Sequence, residues 1–185
     1  EIPLRLVGSE MCIRDSITDG GKGENKMVQN AGNSLAGQRD VHFMEMALEE
    51  ARQAAREGEI PVGAVLVRDG QVLARDHNRR EQDRDATAHA EFLVIRQACR
   101  LLRRWRLSDT TLYVTLEPCP MCAGAIWNAR VGRLVYGAWD SAAGACGSQF
   151  NLPAHPSLNF RTEVTAGVLE EECRKILQDF LKARR

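Results

Sequence analysis

From Val41 to the C-terminus the chain alternates helix-period and strand-period segments after a single hairpin, which leaves few folds open. Phe43, Met44, Ala47, Leu48, Ala51, Ala54 and Ala55 recur at helical spacing, with Gly58 as a stop. Val62-Gly-Ala-Val-Leu-Val reads as a buried strand. Asp69-Gly70 is a hairpin turn signal, and Gln71 to Arg75 returns as a second strand. A polar loop is expected from about Asp76 to Asp85, then a helix from Ala88 to Leu102. Thr111 to Leu116 is a strand rich in β-branched and aromatic residues. Pro118 to Asn128 reads as a short helix, and Arg133 to Tyr136 as a strand. A Gly/Ser/Ala loop precedes a last strand, Arg161 to Thr165, and Leu169, Cys173, Ile176, Leu177 and Phe180 stripe a final helix. The order α-β-β-α-β-α-β-β-α implies an α/β protein with a mixed five-stranded sheet and helices on both faces.

Residues 1–40 show no such period and read as a disordered or non-native leader, with one domain over residues 41–185. The string Leu6-Val-Gly-Ser-Glu-Met-Cys-Ile-Arg-Asp-Ser resembles a translated sequencing adapter, which would put the natural start at Met27 or later. No signal peptide is read at the start, and no apolar run approaches the roughly 20 residues of a membrane helix. A cytoplasmic location is expected.

The whole chain carries 25 basic and 25 acidic side chains; the leader holds five and six of them, leaving 20 and 19 in the domain. Near-neutrality excludes binding of nucleic acid by bulk charge, though not by a local basic face. Two basic clusters qualify as phosphate-binding surfaces or as solvated helix ends. Arg100, Arg103, Arg104 and Arg106 surround Trp105, and Lys182, Arg184 and Arg185 close the chain.

Two segments carry chemistry. Thr87-Ala-His89-Ala-Glu91 opens a helix, and Glu117-Pro-Cys119-Pro-Met-Cys122 spans a strand-to-helix turn. Cysteines at i and i+3 share a face of the first helical turn, so both thiolates can reach one metal, with His89 as third ligand. One His and two Cys leave a tetrahedral Zn²⁺ an open position for water, the arrangement of a catalytic site. Glu91, two residues from His89, is then placed to move protons. A Cys-x-x-Cys pair alone also fits structural zinc or redox chemistry. A redox role leaves His89 and Glu91 unexplained. A structural site calls for a fourth protein ligand, and His42, His77, His155 and the other cysteines show no matching spacing. The paired motifs match the signature of base-acting zinc deaminases.

From about Phe43 to Arg185 the sequence closely resembles the bacterial tRNA-specific adenosine deaminases of the cytidine-deaminase-like superfamily. The resemblance rests on Gly58-Glu-Ile-Pro-Val-Gly-Ala-Val-Leu-Val, His77-Asn78-Arg79, Thr87 to Glu91, the stretch from Leu112 to Ile126, and Gly137-Ala-Trp-Asp140. It implies a three-layer α/β/α sandwich, a homodimer, and hydrolytic deamination of adenosine to inosine at wobble position 34 of a tRNA anticodon, with an arginine tRNA expected. It implies zinc on His89, Cys119 and Cys122 and proton shuttling by Glu91. It also implies substrate contacts from Asn78, Asp140 and Asn159. The alternatives are a free-base or nucleoside deaminase of the same fold (guanine, cytosine or cytidine) and a non-catalytic RNA-binding subunit. The chain departs from the family pattern at Arg80 and Ala86, where Pro is common, and at Trp139 and Phe160, where residues are often basic or polar.

Overall fold

The computed structural model describes residues 35–184. Helix α1 spans Leu35–Arg56 and buries Phe43, Met44, Ala47, Leu48, Ala51 and Ala54. Its end is set by Gly58 at φ +82°, a left-handed position that costs glycine little. Strands β1 (Gly63–Arg68) and β2 (Gln71–His77) form the expected hairpin. Asp69 and Gly70 both take positive φ, which matches the turn to the twist of the strands. A four-residue helix, α2 (Arg80–Asp83), precedes α3 (Ala90–Leu102). Then follow β3 (Thr111–Leu116), α4 (Pro120–Asn128), β4 (Arg133–Ala138), β5 (Glu163–Ala166) and α5 (Glu170–Ala183).

The sheet order is β2-β1-β3-β4-β5. β1 is antiparallel to both β2 and β3, while β3, β4 and β5 are parallel. Alternate side chains of the central strands feed two separate cores. Leu66, Leu112, Val114 and Leu134 pack with Val94, Ala98 and Ile126 of α3 and α4. Val65, Tyr113 and Val135 pack with Met44, Leu48 and Cys173 of α1 and α5. The result is the expected three-layer α/β/α sandwich around a mixed five-stranded sheet. The α1 layer lies very close: a Cβ on Gly63 would sit 2.1 Å from the Ala47 carbonyl oxygen, so only glycine fits there. Among the described residues, no helix is long and apolar enough to cross a membrane.

Three expectations need correction. The boundary at residue 40 falls inside α1, which begins at Leu35; residues 1–34 lie outside the described residues. Leu35-Ala-Gly-Gln-Arg-Asp40 carries no apolar stripe, so its period was invisible. What places it is Asp40, buried to 7% exposure, which accepts the Tyr113 hydroxyl (2.9 Å) and both Arg133 Nη atoms (2.7 Å each). Burial of Tyr113 and its hydrogen bond to Asp40 hold the phenol above its usual pKa. The segment 76–85 is not all loop: β2 runs on to His77, and α2 forms where Glu59 accepts the Gln82 N–H at 2.8 Å. Helices α3 and α4 each begin two residues later than expected, because His89 and Cys119 are extended N-cap residues.

Asp40→Ala should lower folding stability by about 3 kcal/mol, since it strands Arg133 beside a partly buried partner site. Urea unfolding reads this, and an unchanged midpoint would show that the start of α1 is not part of the cooperative unit.

Candidate active site

Strands β2, β3 and β4 all run in one direction, so their carboxyl ends share one edge of the sheet. Ligand clefts in α/β folds form at such an edge. β2 delivers Asn78, β3 delivers Glu117 and Cys119, and β4 delivers Asp140; these residues, with His89 and Glu91 at the start of α3, line a single cleft. Ile60, Val62 and Leu116 supply its apolar wall.

His89 Nδ1 lies 3.6 Å from Cys122 Sγ and 3.8 Å from Cys119 Sγ. All three donor atoms fall within 4.8 Å of one another, the only such group of three among the described residues. A tetrahedral Zn²⁺ with ordinary Zn–S and Zn–N bonds needs sulfur and nitrogen about 3.5 Å apart, so the donors fit that ion by type and by spacing. The N-cap geometry explains the convergence. Neither His89 nor Cys119 uses its side chain to cap its helix, which frees both donor atoms to face each other. Pro120 at the first helical position makes the turn abrupt. The hydrogen bond from Cys122 and the nearby His89 hold the Cys119 thiol down to about 4, while the same pairing with Cys119, together with burial, pushes Cys122 up.

Glu91 is buried to 3% exposure, and its Oε2 has no hydrogen-bond partner. Burial raises its carboxyl above the usual carboxylate range. A buried carboxylate oxygen without a protein donor, beside three metal-type donors in a cleft, is set up to meet something that enters from outside.

Two further carboxylates were not singled out from the sequence. Glu117, buried to 2%, accepts the N–H groups of Cys146 (3.0 Å), Ser148 (2.9 Å) and Asp140 (3.1 Å), and the Ser148 hydroxyl. It thus gathers the loop after β4 over the cleft. Gly144 permits this, since a Cβ there would sit 2.3 Å from Glu117 Oε2. Glu59, buried to 1%, accepts Asn78 Nδ2 at 3.1 Å and so orients the amide that faces the cleft. The only sequence signal for either was its place in a quoted motif, Gly58-Glu-Ile-Pro for Glu59 and Glu-Pro-Cys for Glu117.

Asn78 and Asp140 are thus brought to the site. Asp140 Oδ1 accepts the N–H groups of Ala142 (2.9 Å) and Ala143 (3.1 Å). Asn159 is not among the residues lining the cleft; it accepts Arg130 Nη1 at 2.7 Å, and that guanidinium lies 5.2 Å from the rings of both Trp127 and Phe160. Some members of the basic clusters are also engaged within the chain. Arg106 lies 4.3 Å from the Trp105 ring and Arg104 pairs with Asp109 at 2.5 Å. Arg184 lies 4.4 Å from the Phe180 ring and donates to the Gly58 carbonyl. Arg185 lies outside the described residues.

The MafB19-like deaminase family model matches residues 38–185. The tRNA-specific adenosine deaminase of Bacillus subtilis is 49% identical over 146 residues, covering 79% of this chain and 91% of that protein. The chain belongs to this deaminase family. A solved structure from a study of A-to-I editing by tRNA:A34 deaminases superposes with a TM-score of 0.71 at 51% identity, covering 74% of this chain and 99% of that one. A guanine deaminase from Bacillus subtilis shares the fold less closely, with a TM-score of 0.53 at 33% identity over 77% of this chain and 92% of its own. The cytidine-deaminase-like fold expected from the sequence is the one adopted.

Glu117→Ala should strip four donors of their acceptor and release the loop over residues 139–150. A stability loss of about 3 kcal/mol is expected, with faster proteolysis confined to that loop. Glu117→Gln, which keeps two acceptor lone pairs, should lose less. Equal melting temperatures and cleavage rates for wild type and Glu117→Ala would refute the clamp.

Proposed function

We propose that this deaminase converts adenosine 34, at the wobble position of a tRNA anticodon, to inosine and ammonia, using zinc held by His89, Cys119 and Cys122. The observation that carries this reading is Glu91, a buried carboxylate with a free oxygen in the cleft that holds the three donors. Bound there, zinc would supply an activated water at neutral pH. Glu91 takes a proton from the attacking water as the C6–O bond forms. It passes that proton to the ring nitrogen, then takes the remaining proton of the new C6 hydroxyl and delivers it to the departing amine as the C6–N bond breaks and the C6 carbonyl forms. The raised pKa of its buried carboxyl suits a group that must both accept and return a proton. Asn78, braced by Glu59, hydrogen-bonds the inserted base. Asp140 contacts RNA near the target base; its Oδ2 has no protein donor among the described residues. Asn159, away from the cleft, is assigned to RNA outside the target nucleotide.

The base must leave its stack to enter the cleft, which an anticodon loop allows more cheaply than a duplex. An arginine tRNA with adenosine at position 34 is the substrate we assign, acted on by a homodimer in the cytoplasm, where free thiols persist. We assign the deaminase domain to the body that begins with α1, and leave residues 1–34 outside it. The named relatives support tRNA over a free base. A non-catalytic RNA-binding role gives no reason to bury Glu91 beside the donors.

The test is mass spectrometry for inosine in an arginine anticodon stem-loop, run beside free guanine, cytosine and cytidine. Inosine from the RNA and no turnover of the free compounds is expected, with about one zinc per chain. Glu91→Ala should retain the metal and lose at least about 1,000-fold in kcat. His89→Ala and Cys119→Ala should lose the metal itself. Turnover of guanine without reaction of the RNA would overturn the substrate assignment.

A further inference from the structure

We propose that Trp139 is a specificity-determining residue: its indole provides a stacking plane for a nucleobase that flanks the target adenosine. This rests on the RNA substrate proposed above. Trp139 is 48% exposed, directly after β4 and directly before Asp140, which lines the cleft. The ring is half in water beside a residue that lines the cleft, so one part of it is free to meet a ligand.

The ring is nonetheless held firmly. The buried Tyr136 meets it edge-on, with centroids 5.2 Å apart and an interplanar angle of 88°. Tyr136 belongs to the core shared with α3 and α4, so the indole lies on the same face of the sheet as the donors. Gly147 packs so closely that a Cβ there would sit 3.0 Å from Trp139 Cζ3. The next residue is pinned from beneath, since Glu117 accepts the Asp140 N–H, and Asp140 in turn caps the loop that returns past Gly147. A ring with so little freedom left loses little entropy on meeting a ligand.

The substrate supplies a matching face. When one base of a single-stranded loop turns into the cleft, its neighbour loses a stacking partner. A fixed aromatic plane at the rim replaces that partner. Stacking on a side chain tolerates any base, because every base presents a π-face. In a nearly neutral domain where Arg104, Arg106 and Arg184 are already engaged within the chain, such a plane is a source of affinity that needs no net charge.

The experiment uses the full zinc-loaded chain and an anticodon stem-loop. Trp139→Ala should raise KM about tenfold with kcat within about twofold, and Trp139→Phe should restore most of the loss. An abasic nucleotide at the stacked flanking position should erase the difference between wild type and Trp139→Ala. 2-Aminopurine placed at positions 33 and 35 in turn should be quenched by wild type at one of them, and much less by Trp139→Ala. The proposal is overturned if the two proteins bind and react alike, or if the penalty persists undiminished with abasic sites on both sides. It is also overturned if Trp139→Ala merely weakens self-association and KM recovers once concentration restores the assembly. Should wild type leave adenosine 34 unreacted, the substrate reading fails, while the 2-aminopurine signal still decides whether the indole stacks.

Discussion

Two residues in extended backbone, each the last before a helix begins, hold the cleft together. His89 (φ −80°, ψ 148°) and Cys119 (φ −69°, ψ 171°) are the N-caps of α3 and α4. At an ordinary N-cap the side chain turns back to satisfy the first free N–H groups of its helix. Here neither side chain does so; the two face each other instead, with Cys122 one turn further along α4. The two helix starts therefore meet, and the positive ends of both dipoles favour anionic thiolate at the place where the donors converge. The position of Glu91 follows from the same turn, because the second residue of α3 lies directly beyond its N-cap.

Among the described residues five carboxylates are buried, and in all but one each oxygen has a donor. Asp40 takes Tyr113 and Arg133, Glu59 takes Asn78 and a backbone N–H, and Glu117 takes three backbone N–H groups and a hydroxyl. Asp76 takes the His77 N–H, Arg79 and Gln97. An unpaired buried charge is costly, so each of these groups constrains the elements that supply its donors. Glu91 is the exception, and it lines the cleft together with His89 and Cys119. The carboxylates with a full set of donors position the chain, whereas the one without keeps an oxygen unpaired at the cleft.

Much of this was legible in advance, for definite reasons. The apolar stripes of α1, α3 and α5 and the β-branched run of β3 follow from periods of 3.6 and 2, so the sandwich could be inferred without coordinates. The donors were legible because metal chemistry restricts residue type and spacing together. Asn78 and Asp140 came only through resemblance to a family, and both do line the cleft; Asn159 came the same way and lies elsewhere, against Arg130. Glu59 and Glu117 stayed silent, since a carboxylate that organises a loop looks like a surface carboxylate until its donors are seen. The start of α1 was silent for the same reason: Asp40 is fixed by partners 73 and 93 positions away in the chain.

Sequence by itself determined the layer architecture, the hairpin, the His-Cys-Cys donor set and the carboxylate beside it, because each depends on short-range pattern or on the chemistry of a few side chains. Only the tertiary structure decided which edge of the sheet carries the cleft. It alone showed that the buried Glu117 gathers the loop after β4, and that Trp139, next to the cleft residue Asp140, meets the buried Tyr136 edge-on. Those outcomes depend on strand direction and on hydrogen bonds between residues far apart in the chain, and no local pattern encodes either.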